Sequence, residues 1–125
     1  ADWLASDPRV AYVTWAGLEG HPHHDRAAKY LPLGPGSVFA FGVASPEGRA
    51  AGESLIENLQ LASHLANIGD ARTLVIHPAS TTHRQLTEEQ LEEAGVGIDL
   101  VRLSCGIENT ADIIADLDQA LAAVQ

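Results

Sequence analysis

Arg102 is the residue of this sequence whose type and position point most directly to chemistry. It is the only charge inside the apolar run at residues 100–107, LVRLSCGI. A guanidinium stays ionised and presents a planar fork that matches a carboxylate or a phosphate. Because the run itself contains no acid, a partner elsewhere must offset the desolvation of Arg102. The pattern leaves two roles open, a structural ion pair, which is the more common outcome, and an anion-binding site.

The segment HPHHD at residues 21–25 contains side chains that zinc accepts, three imidazoles and one carboxylate. However, His23 and His24 are adjacent on an expected helix and point about 100° apart, so they cannot easily share one ion. The i,i+4 spacing of two helical ligands is also absent. The pattern favours a solvated segment and predicts no metal site. A protein that holds stoichiometric metal here is the weaker alternative.

Serine, histidine and cysteine side chains also occur where they could act as nucleophiles or bases. Ser80 and Ser104 could pair with His77 or His83, but neither serine lies in a G-x-S-x-G turn. Proximity in sequence does not give triad geometry, so a hydrolase is disfavoured. The single cysteine, Cys105, is expected to fill space as a small hydrophobe.

These side chains must be positioned by strands and helices that the apolar pattern predicts. Runs with strand character lie at residues 10–15, 37–43, 73–77 and 100–107. Helices are predicted at residues 2–7, 21–31, 49–61 and 109–124, with a short one after a capping box at Thr87 and Gln90. Segment 62–72 is predicted to be irregular. This order predicts an α/β two-layer sandwich with helices on one face of a single sheet.

Side-chain alternation then assigns the faces of the last strand and the last helix. Val101, Leu103, Cys105 and Ile107 are predicted to lie on one face of the sheet, so that Arg102 lies on the opposite face. On the final helix the apolar stripe is predicted to be buried, whereas Asp116 and Asp118 are predicted to lie on the solvated side.

Composition limits the partners that the chain can take. The net charge is −10, which disfavours nucleic acids and anionic membrane surfaces. No apolar run reaches the ~18 residues that a membrane span needs. With 46% hydrophobic residues and one cysteine, the sequence predicts a cytoplasmic globular domain without an internal disulfide.

Several motifs in one order resemble the C-terminal domain of the Cys/Met-metabolism family of pyridoxal-phosphate (PLP) enzymes. They are TWAGL at 14–18, KYLPLGPGSVFAF at 29–41, HLANIGDARTL at 64–74, HPASTTH at 77–83 and VRLSCGIE at 101–108. The sequence of residues 64–74 is similar to the sequences of the sulfhydrylase branch in particular. Cys105 departs from the family, which usually has an aliphatic residue there.

The resemblance implies a fold and a substrate site. The fold would be the small C-terminal domain of fold-type I PLP enzymes, with a largely antiparallel four-stranded sheet. Arg102 would bind the α-carboxylate of the amino-acid substrate. Asn67 matches a position commonly held by a serine near that carboxylate, although Asn67, Gly69 and Asp70 are equally suited to a simple turn. The helices would cover the sheet face of Leu103 and Cys105, and the opposite face, which carries Arg102, would meet the cofactor domain.

The resemblance also implies that catalysis needs residues outside this chain. The only lysine, Lys29, lies in KYLP and lacks the Ser-Ala-Thr-Lys type of context of the cofactor lysine in the family. No catalytic residue and no cofactor-binding residue is therefore expected among residues 1–125. The chain contains no methionine, and the pattern of its first residues, from Ala1 on, is typical of the end of a helix. We therefore expect a C-terminal domain fragment, inactive alone, whose N-terminal PLP domain is missing.

The expected parent is a homotetramer that makes homocysteine from O-acetyl-L-homoserine and sulfide in methionine biosynthesis. Two alternatives stay open from the sequence. One is a related domain of a cystathionine γ-synthase or γ-lyase. The other is a free-standing, non-catalytic binding module, which would be a native product of this length.

Overall fold

The computed structural model describes residues 1–124, and within them the sheet has five strands. The strands are β1 Val10–Thr14, β2 Val38–Val43, β3 Ser63–His64, β4 Leu74–Ile76 and β5 Leu100–Ser104. Their spatial order is β1-β2-β5-β4-β3. All neighbours are antiparallel except β3 and β4, which are parallel. The predicted α/β class and the largely antiparallel sheet are therefore confirmed.

The predicted number of four strands is wrong, because β3 adds a fifth at the edge of the sheet. β3 has only two residues, Ser63 and His64, which pair with Leu74 and Val75 of β4. A strand of that length has no side-chain alternation that a sequence pattern could detect. It lies inside the segment that we predicted to be irregular.

In the part of the chain that the structure describes, five helices connect or cover these strands. They are α1 Asp2–Ser6, α2 His24–Tyr30, α3 Arg49–Asn58, α4 Glu88–Glu93 and α5 Thr110–Ala123, with a 3₁₀ turn at Pro78–Ser80. The predicted capping box of α4 is confirmed, since Thr87 and Gln90 exchange side-chain-to-backbone hydrogen bonds. Asn109 caps α5 by accepting a hydrogen bond from the Ala111 amide. No helix within residues 1–124 is long and apolar enough to cross a membrane.

The hydrophobic core lies between one face of the sheet and helices α1, α3 and α5. The strands contribute Phe39, Phe41, Val43, Val75, Val101 and Leu103, and α5 contributes the predicted stripe that includes Ile113, Leu117, Ala120 and Leu121. Helix α2 buries no residue. The core therefore fixes α5 against β2 and β5 while the other face of the sheet stays free of these helices.

Strand β5 alternates as predicted over its central residues. Val101 and Leu103 are 0% and 1% exposed in the core, whereas Arg102 lies between Ala40 of β2 and Ile76 of β4 on the other face. The strand ends at Ser104, earlier than the predicted Ile107. Ile107 is 86% exposed, and its amide donates to the Ala71 carbonyl, so its predicted place on the helix side is wrong.

The close approach of Gly106 to residues 71–72 gives a test of this arrangement. A Cβ at Gly106 would lie under 3.0 Å from the Ala71 carbonyl oxygen and the Arg72 carbonyl carbon, and backbone atoms cannot easily move away. We expect Gly106→Ala to lower the free energy of unfolding by about 1–3 kcal/mol, as overpacking does. At Gly20 an added Cβ meets nothing within 4 Å. Gly20→Ala should therefore change the free energy of unfolding by about 0.5 kcal/mol or less. Urea denaturation measures both values, and equal effects of the two substitutions would contradict the packing described.

Candidate functional site

Arg102 is held on the outer face of the sheet, the face opposite the helices. Its Nη2 atom donates a hydrogen bond of 3.2 Å to the backbone carbonyl of Asn67. The structure therefore brings together the two site residues that the sequence singles out. The contact uses the backbone of Asn67, so it does not depend on the side chain at that position.

The environment of Arg102 contains no compensating carboxylate among the residues that the structure describes. Within residues 1–124 the ion pairs shorter than 4.0 Å are Arg9–Asp7, Arg9–Asp118 and Arg72–Asp70. The structural ion pair that the sequence left open for Arg102 is thus not formed there. A guanidinium has five N–H donors, and the Asn67 carbonyl accepts from one of its nitrogen atoms. This arrangement suits a planar anion approaching the partly exposed fork.

Asn67 itself lies in an exposed loop with turn geometry. Its side-chain oxygen accepts a hydrogen bond of 2.9 Å from the Ile68 amide, and Gly69 follows with φ of +75°. Asp70 accepts from the Arg72 amide, and this hydrogen bond lowers the pKa of the Asp70 carboxyl. The turn expected as the plainer explanation is present. A contact between the Asn67 side chain and a substrate remains a prediction.

Asp116, like Ile107, is a residue that the sequence interpretation placed wrongly. Predicted to be solvated, it is only 7% exposed, and its carboxylate accepts hydrogen bonds from the backbone amides of Gln60, Leu61 and Ala62. The spacing could have shown this, because position 116 follows Ile113 by three residues and precedes Ala120 by four. It therefore falls inside the buried stripe of α5. The exposed location of Asp118, whose carboxylate pairs with Arg9, agrees with the prediction.

His77 and Ser80 are in contact, but the geometry does not match a nucleophile and its base. His77 is fully buried, with Nε2 at 2.8 Å from the Ile98 carbonyl oxygen and Nδ1 at 2.9 Å from Ser80 Oγ. Since a carbonyl only accepts, Nε2 carries the proton and Nδ1 accepts from the serine hydroxyl. Burial lowers the pKa of His77. This pair joins the 3₁₀ turn to the segment before β5, and a substrate could not reach the ring.

Cys105 and the histidine segment at residues 21–25 are two further features that the sequence singled out. Cys105 packs against the core, and burial raises the pKa of its thiol. It lines a cavity of about 400 Å³ between α1, the sheet and α5, on the side away from Arg102. The rings of His21 and His23 lie 5.7 Å apart. In residues 1–124 no group of three or more His, Cys, Asp or Glu side chains is placed to hold a metal ion.

Lys29 does not fit the role of a lysine that binds PLP. It lies on α2, which buries no residue, and its ammonium group stacks over the Tyr30 ring at 5.2 Å. A Schiff-base lysine is activated by a desolvated pocket, which this exposed helix does not provide. Lys29 is therefore not placed as a Schiff-base lysine would be.

Comparison with known proteins places these observations in a family. The model of the family described as Cys/Met metabolism PLP-dependent enzyme matches residues 1–122. The chain is 52% identical over 122 residues to O-acetyl-L-homoserine sulfhydrylase 1 of Thermus thermophilus, covering 98% of this chain and 28% of that protein. It is 48% identical over 132 residues to the homocysteine/cysteine synthase of Kluyveromyces lactis, covering 99% and 30% respectively.

A solved structure is similar over the same extent. It is a crystal structure described as an O-acetylhomoserine (thiol)-lyase of Campylobacter jejuni with N'-pyridoxyl-lysine-5'-monophosphate. The TM-score is 0.87 at 36% identity, and the match covers 98% of this chain and 28% of that chain. The chain described here thus spans less than a third of the length of these relatives.

The buried neutral His77 predicts how stability depends on pH. Because its folded pKa is lowered, the unfolded state binds the proton more readily, and the stabilisation is complete above about pH 6.5. As pH falls below that value, we expect the free energy of unfolding to decrease, with a slope of at most about 1.4 kcal/mol per pH unit from this one proton. Thermal denaturation between pH 8 and pH 5 measures this.

Two substitutions separate His77 from the other histidines in that experiment. His77→Gln should flatten the decrease between pH 6.5 and 5, because no group at that position then titrates. His64→Gln is the matched control at an exposed position in β3, and it should leave the pH profile unchanged. A profile that stays as steep in His77→Gln as in the wild type would contradict the assignment.

Proposed function

Because the chain belongs to the Cys/Met-metabolism family of PLP-dependent enzymes, we propose that residues 1–125 are the C-terminal, substrate-binding domain of an O-acetylhomoserine sulfhydrylase. The parent enzyme makes homocysteine from O-acetyl-L-homoserine and sulfide in methionine biosynthesis. The observation on which the proposal rests most is Arg102, a partly exposed guanidinium without a carboxylate within 4.0 Å in residues 1–124. The identity of 52% to a sulfhydrylase supports the choice of reaction.

In this proposal Arg102 holds the α-carboxylate of the amino-acid substrate through two charge-assisted hydrogen bonds. Such a bidentate contact fixes the orientation of the substrate as well as its position. The Asn67 carbonyl keeps the guanidinium in place from one side. The Asn67 side chain borders the same site. Arg102 positions the substrate and transfers no proton.

PLP in the parent supplies the electron sink for the reaction and is bound by residues outside this chain. The N-terminal PLP domain is thus the first partner of residues 1–125, and the parent is a cytoplasmic homotetramer. Exposed apolar side chains in and beside the loop that contacts Arg102 support a domain contact. Leu65 and Ile68 of that loop are 47% and 67% exposed, and Ile107, whose amide pairs with Ala71, is 86% exposed. Exposed large apolar side chains that belong to one surface are typical of an interface.

Replacing the guanidinium tests the role of Arg102 in the full-length enzyme. Arg102→Lys keeps the charge but loses the fork, so at least one charge-assisted hydrogen bond to the carboxylate is lost. Since such a bond contributes about 1.5–3 kcal/mol, we expect KM for O-acetyl-L-homoserine to rise by roughly 10- to 100-fold. Steady-state kinetics with saturating sulfide measure this.

The control for that substitution is Arg26→Lys. Arg26 is exposed on α2, so the same chemical change there should leave both kcat and KM for O-acetyl-L-homoserine unaltered. An unchanged KM in Arg102→Lys would refute the carboxylate-binding role.

Borohydride reduction tests where PLP is held. We expect the full-length enzyme to retain a reduced pyridoxyl group after this treatment, whereas residues 1–125 incubated with equimolar PLP should gain none at Lys29. Peptide mass spectrometry detects the added group, and activity of the isolated domain should be absent. Stoichiometric modification of Lys29, or sulfhydrylase activity of residues 1–125, would contradict the proposal.

A further inference from the structure

The loop that contacts Arg102 is largely solvent-exposed and needs anchors elsewhere. We call residues 60–72 the Asn67 loop. Its residues 64–69 are all exposed, and its regular structure is limited to the two residues of β3. Its carbonyl at Asn67 is nevertheless the group that accepts from Arg102. The position of the loop ends therefore decides how the guanidinium is oriented.

The first end of the loop is anchored by Asp116 of α5. Its two carboxylate oxygens accept three hydrogen bonds, at 2.7 Å from the Gln60 amide and 2.9 Å from each of the Leu61 and Ala62 amides. Gln119 donates to the same carboxylate at 3.1 Å. Hydrogen bonds to a buried, ionised acceptor are stronger than those between neutral groups. Asp116 thus fixes the backbone where the chain leaves α3 and enters the loop.

The second end is anchored by Glu108, just before α5. Its Oε1 accepts from the Thr73 amide and its Oε2 accepts from Thr73 Oγ1, both at 2.7 Å. The same hydroxyl oxygen accepts from the Gly106 amide at 3.0 Å. Thr73 is fully buried directly after the loop. The hydrogen bond from the Thr73 amide also lowers the pKa of Glu108, which keeps this acceptor ionised.

We propose that Asp116 and Glu108 are positioning residues of the substrate site, since they hold both ends of the Asn67 loop and so orient Arg102 toward a substrate carboxylate. This inference rests on the proposed function. Neither carboxylate contacts Arg102 directly, and both act through the backbone of the loop. Asp118 on the same helix provides the contrast, because its exposed carboxylate pairs with Arg9 near β1.

The test uses the full-length holoenzyme with Asp116→Asn and Glu108→Gln, which keep the side-chain size. In Asp116→Asn the amide nitrogen faces a backbone N–H group whichever way the side chain is turned, because both carboxylate oxygens accept from amides. In Glu108→Gln a neutral amide replaces the charged acceptor of the two Thr73 hydrogen bonds, which weakens them. In both variants the loop end should loosen. We expect KM for O-acetyl-L-homoserine to rise about tenfold, as for the loss of one such hydrogen bond. The KM for sulfide and the absorbance of bound PLP should stay unchanged. Asp118→Asn, the matched control, should alter none of these values.

A double substitution distinguishes positioning from a general loss of stability. With Arg102→Lys already present, Asp116→Asn should raise KM by less than about twofold, because position 102 then has no guanidinium for the loop to orient. A full tenfold effect in that background would overturn the inference. So would an unchanged KM in both Asp116→Asn and Glu108→Gln while Arg102→Lys raises it, a result that leaves the proposed function intact. An unchanged KM in Arg102→Lys itself would instead refute the proposed function.

Amide hydrogen exchange in the wild-type holoenzyme tests the same coupling without a substitution. The ligand is L-homoserine at saturating concentration, which has the α-carboxylate but lacks the acetyl leaving group of the proposed substrate. Its binding should slow exchange at the Leu61, Ala62 and Thr73 amides, because the site and its anchors stabilise each other. Unchanged exchange at these amides on saturation would overturn the inference even where the variants fail to fold.

Discussion

The alternation of side chains along β5 is the constraint on which the rest of this structure depends. Val101 and Leu103 are drawn into the core by burial of apolar surface, and the two-residue period then places Arg102 on the other face. A shift of one residue in the pairing with β2 would expose both apolar side chains and bury the charge. The register that makes the core is therefore the register that presents the guanidinium.

Helix α5 connects that core to the outer face. Its apolar stripe packs on β2 and β5, while Asp116 within the same stripe reaches the backbone where α3 ends. A buried carboxylate costs several kcal/mol in desolvation unless hydrogen bonds replace its water. Three backbone amides and the Gln119 side chain do so here. The three amides lie just beyond the last turn of α3, so the carboxylate and the amides satisfy each other's hydrogen bonding.

The sequence predicts those parts of the molecule that local chemistry determines. The capping box at Thr87, the stripe of α5 and the alternation around Arg102 all follow from short-range periodicity. β3 could not be predicted, because two residues have no period and their pairing depends on β4. The spacing on α5 could have shown that Asp116 is buried, but its partners are amides 54 to 56 residues away. Beyond β5, the Ile107 amide pairs with the carbonyl of the distant Ala71. Long-range contacts of this kind leave no local pattern.

The net charge of the chain limits how a carboxylate can be recruited in the proposed site. With a charge of −10, the domain does not attract anions at long range, and physiological salt screens distant charges beyond about 8 Å. Recognition must therefore come from the directional hydrogen bonds of Arg102 at contact distance. In the proposed site, the orientation of the guanidinium therefore matters as well as its charge. The proposal assigns this orientation to the Asn67 carbonyl and to the carboxylates that anchor its loop.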